Sequence, residues 1–140
     1  MKTVKRIIGD AGEKLATSYL ISHKYKILER NFLVAGGEID IIALETKKSR
    51  KFESINSKIP KEFLNEDVIC FVEVKTRSSN NYGMPSEAVT HEKQKNIIHA
   101  ANSYLNLKNI KNKQFRFDII EVLNGEVVHI KNAFWNKKFF

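Results

Sequence analysis

Apolar and charged residues alternate in the stretch Phe71-Val72-Glu73-Val74-Lys75, the pattern of a half-buried strand. Successive strand side chains leave on opposite faces, so Glu73 and Lys75 project together, about 6 to 7 Å apart, while Cys70, Val72 and Val74 project the other way. A second alternating run, Glu38-Ile39-Asp40-Ile41-Ile42, follows Gly36-Gly37. A strict period of two puts Ile39 and Ile41 on one face and Glu38, Asp40 and Ile42 on the other. Two helices are expected. One runs from a cap at Asp10 through Ala11 to about His23, and one runs from near Thr90 to about Leu107 with Ile97, Ile98, Ala101, Tyr104 and Leu105 at buried spacing. Two further strands close the chain, Phe115–Val122 and Glu126–Ile130, joined by a hairpin turn at Asn124-Gly125. Together these elements predict a single α/β domain, a mixed central β-sheet flanked by helices.

Composition narrows the setting. A chain of 140 residues makes one domain around one core. No segment approaches the roughly 20 apolar residues that a membrane span needs, and Met1 to Ile8 is too short and charged for a signal peptide, so a cytoplasmic protein without a membrane partner is expected. Cys70 stands alone within an apolar run and reads as a packed thiol. His23, His91, His99 and His129 are dispersed, with no pair at zinc-ligand spacing. The formal charge of +8 suits a polyanionic partner, since lysine and arginine supply most non-specific affinity for nucleic acid. Most of that excess is lysine. Residues 46–66 are polar, basic and weakly periodic, and read as an insertion between two strands. Its lysines and Arg50 form either a nucleic-acid contact or a solvated charge run.

Asp40 and Glu73 carry the candidate chemistry. If their strands are antiparallel neighbours, the two carboxylates approach each other with Lys75 beside them, whereas a slip of one residue would turn Asp40 away. Charges on such a face are costly unless something uses them. Clustered oxygen donors without soft ligands suit Mg²⁺ or Mn²⁺, and such an ion polarises a phosphoryl group and activates water. Glu13 has two readings that do not exclude each other. It completes a capping box with Asp10, or it projects from the sheet-facing side of its helix into the acidic site.

The pairing of GEIDIIA (Gly37 to Ala43) with FVEVKTR (Phe71 to Arg77) resembles the D…(D/E)xK signature of restriction-endonuclease-like nucleases, with Ile39 where the older form has proline. Together with GDAGEKLATSYL (Gly9 to Leu20), Arg30-Asn31, Lys93, Ala101, Tyr104-Leu105 and Arg116-Phe117-Asp118, the match covers most of the chain and is similar to the YraN-like family. The resemblance implies a restriction-endonuclease-like fold, similar also to archaeal Holliday-junction resolvases. It also implies a metal-dependent endonuclease, structure-specific on branched DNA in repair or recombination, that leaves a 5′-phosphate. Residue by residue, it makes Glu13, Asp40, Glu73 and Lys75 catalytic. Asp40, Glu73, the Val74 backbone carbonyl and Glu13 then hold Mg²⁺ or Mn²⁺, and Lys75 stays charged beside the carboxylates.

Beyond that centre, Arg77 and Tyr82 are candidates for a phosphate contact and base stacking, set against an ordinary loop. Lys93 and Gln94, by the same resemblance, are candidates for backbone contacts, set against a solvated helix face. Asp118 is read as structural, and the tail from Asn132 to Phe140, with Phe134, Trp135, Phe139 and Phe140, as cover for the core. Shape recognition of branched DNA usually employs a homodimer. Two other functions stay open: a nucleic-acid-binding accessory protein with this fold but little catalysis, and a scaffold whose clustered charges form a buried ionic network.

Overall fold

The computed structural model describes residues 3–53, 66–77 and 89–134. In chain order the elements are α1 (Val4–Ser22), β1 (Lys26–Val34), β2 (Gly37–Glu45), α2 (Lys47–Glu53), β3 (Val68–Arg77), α3 (His91–Leu107), β4 (Gln114–Leu123) and β5 (Glu126–Ile130). The strands form one sheet in the order β1-β2-β3-β4-β5, with β3 and β4 parallel and every other pair antiparallel. A parallel pair needs a crossover, which α3 supplies. The expected α/β domain with a mixed sheet is therefore present.

The sheet is buried on both faces. Ile97, Ile98, Ala101 and Tyr104 of α3 pack with Phe32, Ile39, Ile42, Phe71, Phe117 and Ile119. Ala16 and Leu20 of α1 pack with Ile41, Ala43, Cys70, Val72, Ile120 and Val122 on the other side. Cys70 is a buried free thiol, and burial raises its pKa. From the tail, Phe134 stacks on Phe117 with ring centroids 5.1 Å apart, which is core cover as expected. Trp135, Phe139 and Phe140 lie outside the described residues. The Asn124-Gly125 turn forms as read, with both residues at positive φ.

Three expectations need correction. α1 begins at Val4, where the Thr3 side chain accepts the Arg6 amide at 3.2 Å, so Asp10 is no cap and Glu13 lies inside the helix. Nothing in Lys5 to Gly9 breaks a helix, and the exposed apolar residues there hid its start. The second correction concerns β1, which is a full strand over residues not read as one. Glu29-Arg30-Asn31 interrupts its apolar alternation, and Asn31 at φ 53° breaks its regularity. Third, the basic stretch opens with α2, whose Arg50 is buried against Glu45 with Nε 2.9 Å from Oε1, so this arginine is not presented to a backbone. The remainder of that stretch, 54–65, lies outside the described residues.

Asp118 is structural, as anticipated. It is fully buried and accepts hydrogen bonds from Arg116 Nε (2.9 Å), the Asn132 amide (2.9 Å) and His129 Nε2 (2.8 Å). Burial alone would raise its pKa, but the His129 bond and the Arg116 charge outweigh it and hold the carboxyl below its usual range. The network continues from Arg116 to Tyr25 and Glu45, tying β4 to β2 and the end of α1.

Candidate active site

The β2–β3 ladder runs from Glu45–Val68 to Ile41–Val72 and ends there. Past that point β2 pairs with β1 and β3 with β4, so the two strands part. Asp40 is the first β2 residue beyond the parting, and one further step along the register sets it opposite Glu73. Its Oδ2 accepts the Val74 amide at 2.8 Å, so a side chain takes the hydrogen bond that a continued ladder would give to a carbonyl. Alternation along β2 also slips here. Ile39 packs on the α3 side and Ile41 on the α1 side, so the shared face expected for these two is not observed. The opposing β1 residue, Asn31, has the left-handed backbone that accompanies such an irregularity.

Glu13 arrives from α1. The helix can lie this close to β3 because residue 12 is glycine: a Cβ there would run into the Thr76 side chain. The Asp40 charge acts on both Glu13 and Glu73, so three acids from α1, β2 and β3 lie near enough to feel one another. Neighbouring carboxylates disfavour each other's ionised form, and the titration follows. Burial and then the Asp40 charge push Glu73 up to about 8, against the pull of Lys93 and Lys75. Burial and then Asp40 push Glu13 up to about 7, against the pull of Arg30.

Cations border the acids. Lys75 Nζ stands 3.7 Å and Lys93 Nζ 3.6 Å from Glu73 Oε1, each side chain one-third exposed. Glu73 Oε2 is buried and has no hydrogen-bond partner among the described residues. A buried acceptor left in that state calls for a proton or a cation. The donors are all oxygen, which fits a hard divalent ion. Among the described residues no group of three or more His, Cys, Asp or Glu side chains is placed to hold a metal ion.

A cavity of about 820 Å³ opens onto this cluster. Glu13, Asp40, Glu73, Val74 and Lys75 line one end of it, and Val4, Ile8, Ala11 and Leu15 of α1 form its wall.

The structure therefore brings together Glu13, Asp40, Glu73, Lys75 and Lys93, with Val74 lining the same space. It does not bring Gln94, whose side-chain amide donates to the Val89 carbonyl at 3.0 Å on its own helix turn. Arg77 lines the cavity but is held by Glu121 through two hydrogen bonds of 2.8 Å, so its charge is already balanced in the core. Tyr82 lies outside the described residues. Arg30 was not assigned from sequence. It is an exposed cation on β1 whose charge acts on Glu13, and recognising β1 as a strand beside β2 would have exposed it.

Among the described residues no helix is long and apolar enough to cross a membrane. Residues 12–122 match the model of the uncharacterised protein family UPF0102. Similar proteins include UPF0102 proteins of Caldanaerobacter subterraneus subsp. tengcongensis, 46% identical over 95% of this chain and 98% of the relative. Others come from Clostridioides difficile, 43% identical over 90% and 95%, and from Persephonella marina, 41% identical over 91% and 93%.

Proposed function

The chain belongs to the UPF0102 family, the YraN-like family that its motifs resemble, and on that premise we propose that it is a metal-dependent endonuclease of restriction-endonuclease-like fold that hydrolyses phosphodiester bonds of DNA. The observation that carries this reading is the meeting of Glu13, Asp40 and Glu73 beside Lys75 and Lys93, with a buried Glu73 oxygen that has no hydrogen-bond partner among the described residues.

Asp40, Glu73 and the Val74 carbonyl would hold Mg²⁺ or Mn²⁺, with Glu13 completing or supporting the set. The ion supplies an activated water and polarises the phosphoryl oxygen. Asp40 is fixed by the Val74 amide and so keeps its place when the protons leave. Lys75 and Lys93, beside Glu73, would orient the scissile phosphate and offset the charge that develops on it. Water oxygen bonds to phosphorus while the bond to the 3′ oxygen breaks. A proton from the water balances the departing alkoxide, leaving a 5′-phosphate and a 3′-hydroxyl. Arg30, exposed beside Glu13, serves as a further phosphate contact.

The test is a cleavage panel of linear, flap and four-way-junction DNA with Mg²⁺ or Mn²⁺, run beside Glu73→Ala. Cleavage by the native protein alone is expected. That no three acids among the described residues are placed to hold a metal ion favours one second reading, a binding protein with this fold that cuts poorly. In that case nothing in the panel is cut, and Asp40→Asn binds DNA as well as the native chain or better.

A further inference from the structure

The wall of the cavity is unusual for a surface that meets a polyanion. Val4, Ile8 and Leu15 line it and are 74%, 51% and 42% exposed, and Ala11 between them is exposed as well. Positions 4, 8, 11 and 15 fall on one stripe of a helix. The opposite stripe of α1, with Ala16 and Leu20, is already buried on the sheet. These exposed side chains therefore do not serve the core, and an apolar patch of this kind marks a contact surface.

Resting on the nuclease reading, we propose that this wall holds the flat face of an unpaired nucleotide, so that the site takes a single-stranded segment, such as a gap or flap, and not an intact duplex. The argument is one of continuity. The apolar stripe and the charged cluster line a single cavity of about 820 Å³, so one ligand can meet both. That volume is of the scale that encloses a small molecule, ~300–1,000 Å³. A nucleotide has the matching pair of surfaces, an anionic phosphate and an apolar base face. In a duplex the base faces are covered by their neighbours, and what is presented is phosphate, sugar and groove edges whose one apolar base group is the thymine methyl. Aliphatic side chains gain far less there than on an uncovered base face. Once a base is unstacked, apolar side chains receive its face, as in proteins that wedge or extrude bases.

The stripe is solvent-exposed, so Ile8→Gln with Leu15→Gln leaves the core intact, and both are helix-compatible changes. Two matched DNAs are used, one fully duplex and one with a three-nucleotide gap. Binding is read by anisotropy with the Lys75→Ala background and cleavage with the native background. The native wall should favour the gapped DNA by at least about ten-fold in both readouts. Removing it should reduce that preference by about five- to ten-fold and leave duplex binding unchanged. Equal native affinity for the two DNAs, or an equal loss on both in the double variant, overturns the proposal. So does a native dimer that the double variant converts to monomer, since a second copy would then be the occupant of the wall. If no DNA is cut but the gap preference in binding depends on Ile8 and Leu15, the nuclease reading fails while the unpaired-strand surface stands.

Discussion

Asp40 Oδ2 accepts the Val74 amide at 2.8 Å at the point where β2 and β3 stop pairing. The catalytic candidate is thus also the group that closes the end of the ladder, and the two roles separate by substitution. Asn at position 40 keeps an oxygen for the amide, whereas Ala leaves a part-buried donor without one, at a cost of about 1–3 kcal/mol. Urea unfolding should show Asp40→Ala destabilised by roughly that amount and Asp40→Asn by much less, with cleavage lost in both. Equal stabilities would mean that the amide bond contributes nothing to the fold.

Glu73 and Glu13 titrate upward in the folded chain, to about 8 and about 7, from the ordinary carboxyl value of 4.5. An acid whose folded pKa is raised binds more protons folded than unfolded between those values. Metal-free stability must therefore fall as pH rises from about 5 through 8. Glu45 and Asp118 are shifted downward, so their contribution is complete above the ordinary carboxylate range and does not offset the fall. Unfolding in chelator at pH 5.5, 7 and 8.5 should trace the decline, and Glu73→Gln should flatten it. A divalent ion competes with protons for these carboxylates, so the rise in Tm on adding Mg²⁺ should be greatest at pH 8.5. Stability that is flat or rising over this window would show that these two acids do not titrate upward in the folded chain.

Lys75 lies 3.7 Å from Glu73 and is one-third exposed, so it can act on a substrate without supporting the core. Lys75→Ala should lower cleavage by about 10²–10³-fold, the scale of losing one transition-state donor, while the Mg²⁺-induced rise in Tm persists. Unchanged turnover on a substrate that Glu73→Ala leaves intact would remove Lys75 from the mechanism.

How much of this was legible in the sequence depended on the range of the interaction. α3 and the Asn124-Gly125 hairpin came out with their bounds because capping, helical spacing and turn chemistry are local. The neighbourhood of Asp40 and Glu73 followed from two alternating runs joined by one connection. What failed was non-local. The start of α1 is an exposed apolar stretch that carries no core signal, and the phase slip between Ile39 and Ile41 is imposed by the parting of β2 from β3. Arg77 and Gln94 stand as candidate nucleic-acid contacts in the sequence because their partners, the Glu121 carboxylate and the Val89 carbonyl, cannot be inferred from spacing alone. Arg30 went unassigned for the converse reason, since its strand was not recognised.

The Gly12–Thr76 contact sets how closely α1 approaches β3 and therefore where Glu13 stands relative to Asp40. Gly12→Ala adds a methyl into the Thr76 side chain, and overpacking of this kind costs about 1–3 kcal/mol. Helix propensity alone would instead favour alanine by ~1 kcal/mol, so the sign of the change reports which effect wins. The contact is with a short β-branched side chain that cannot swing far, and destabilisation is expected, together with a weaker Mg²⁺ effect on Tm as Glu13 is pushed outward. Thr76→Ala removes the atoms in the way, so the Gly12→Ala/Thr76→Ala pair should recover most of both losses, giving a coupling well outside the ~0.3–0.5 kcal/mol of independent sites. Additive effects in that cycle, or a Gly12→Ala protein more stable than the parent, would show that the helix does not depend on this contact for its place.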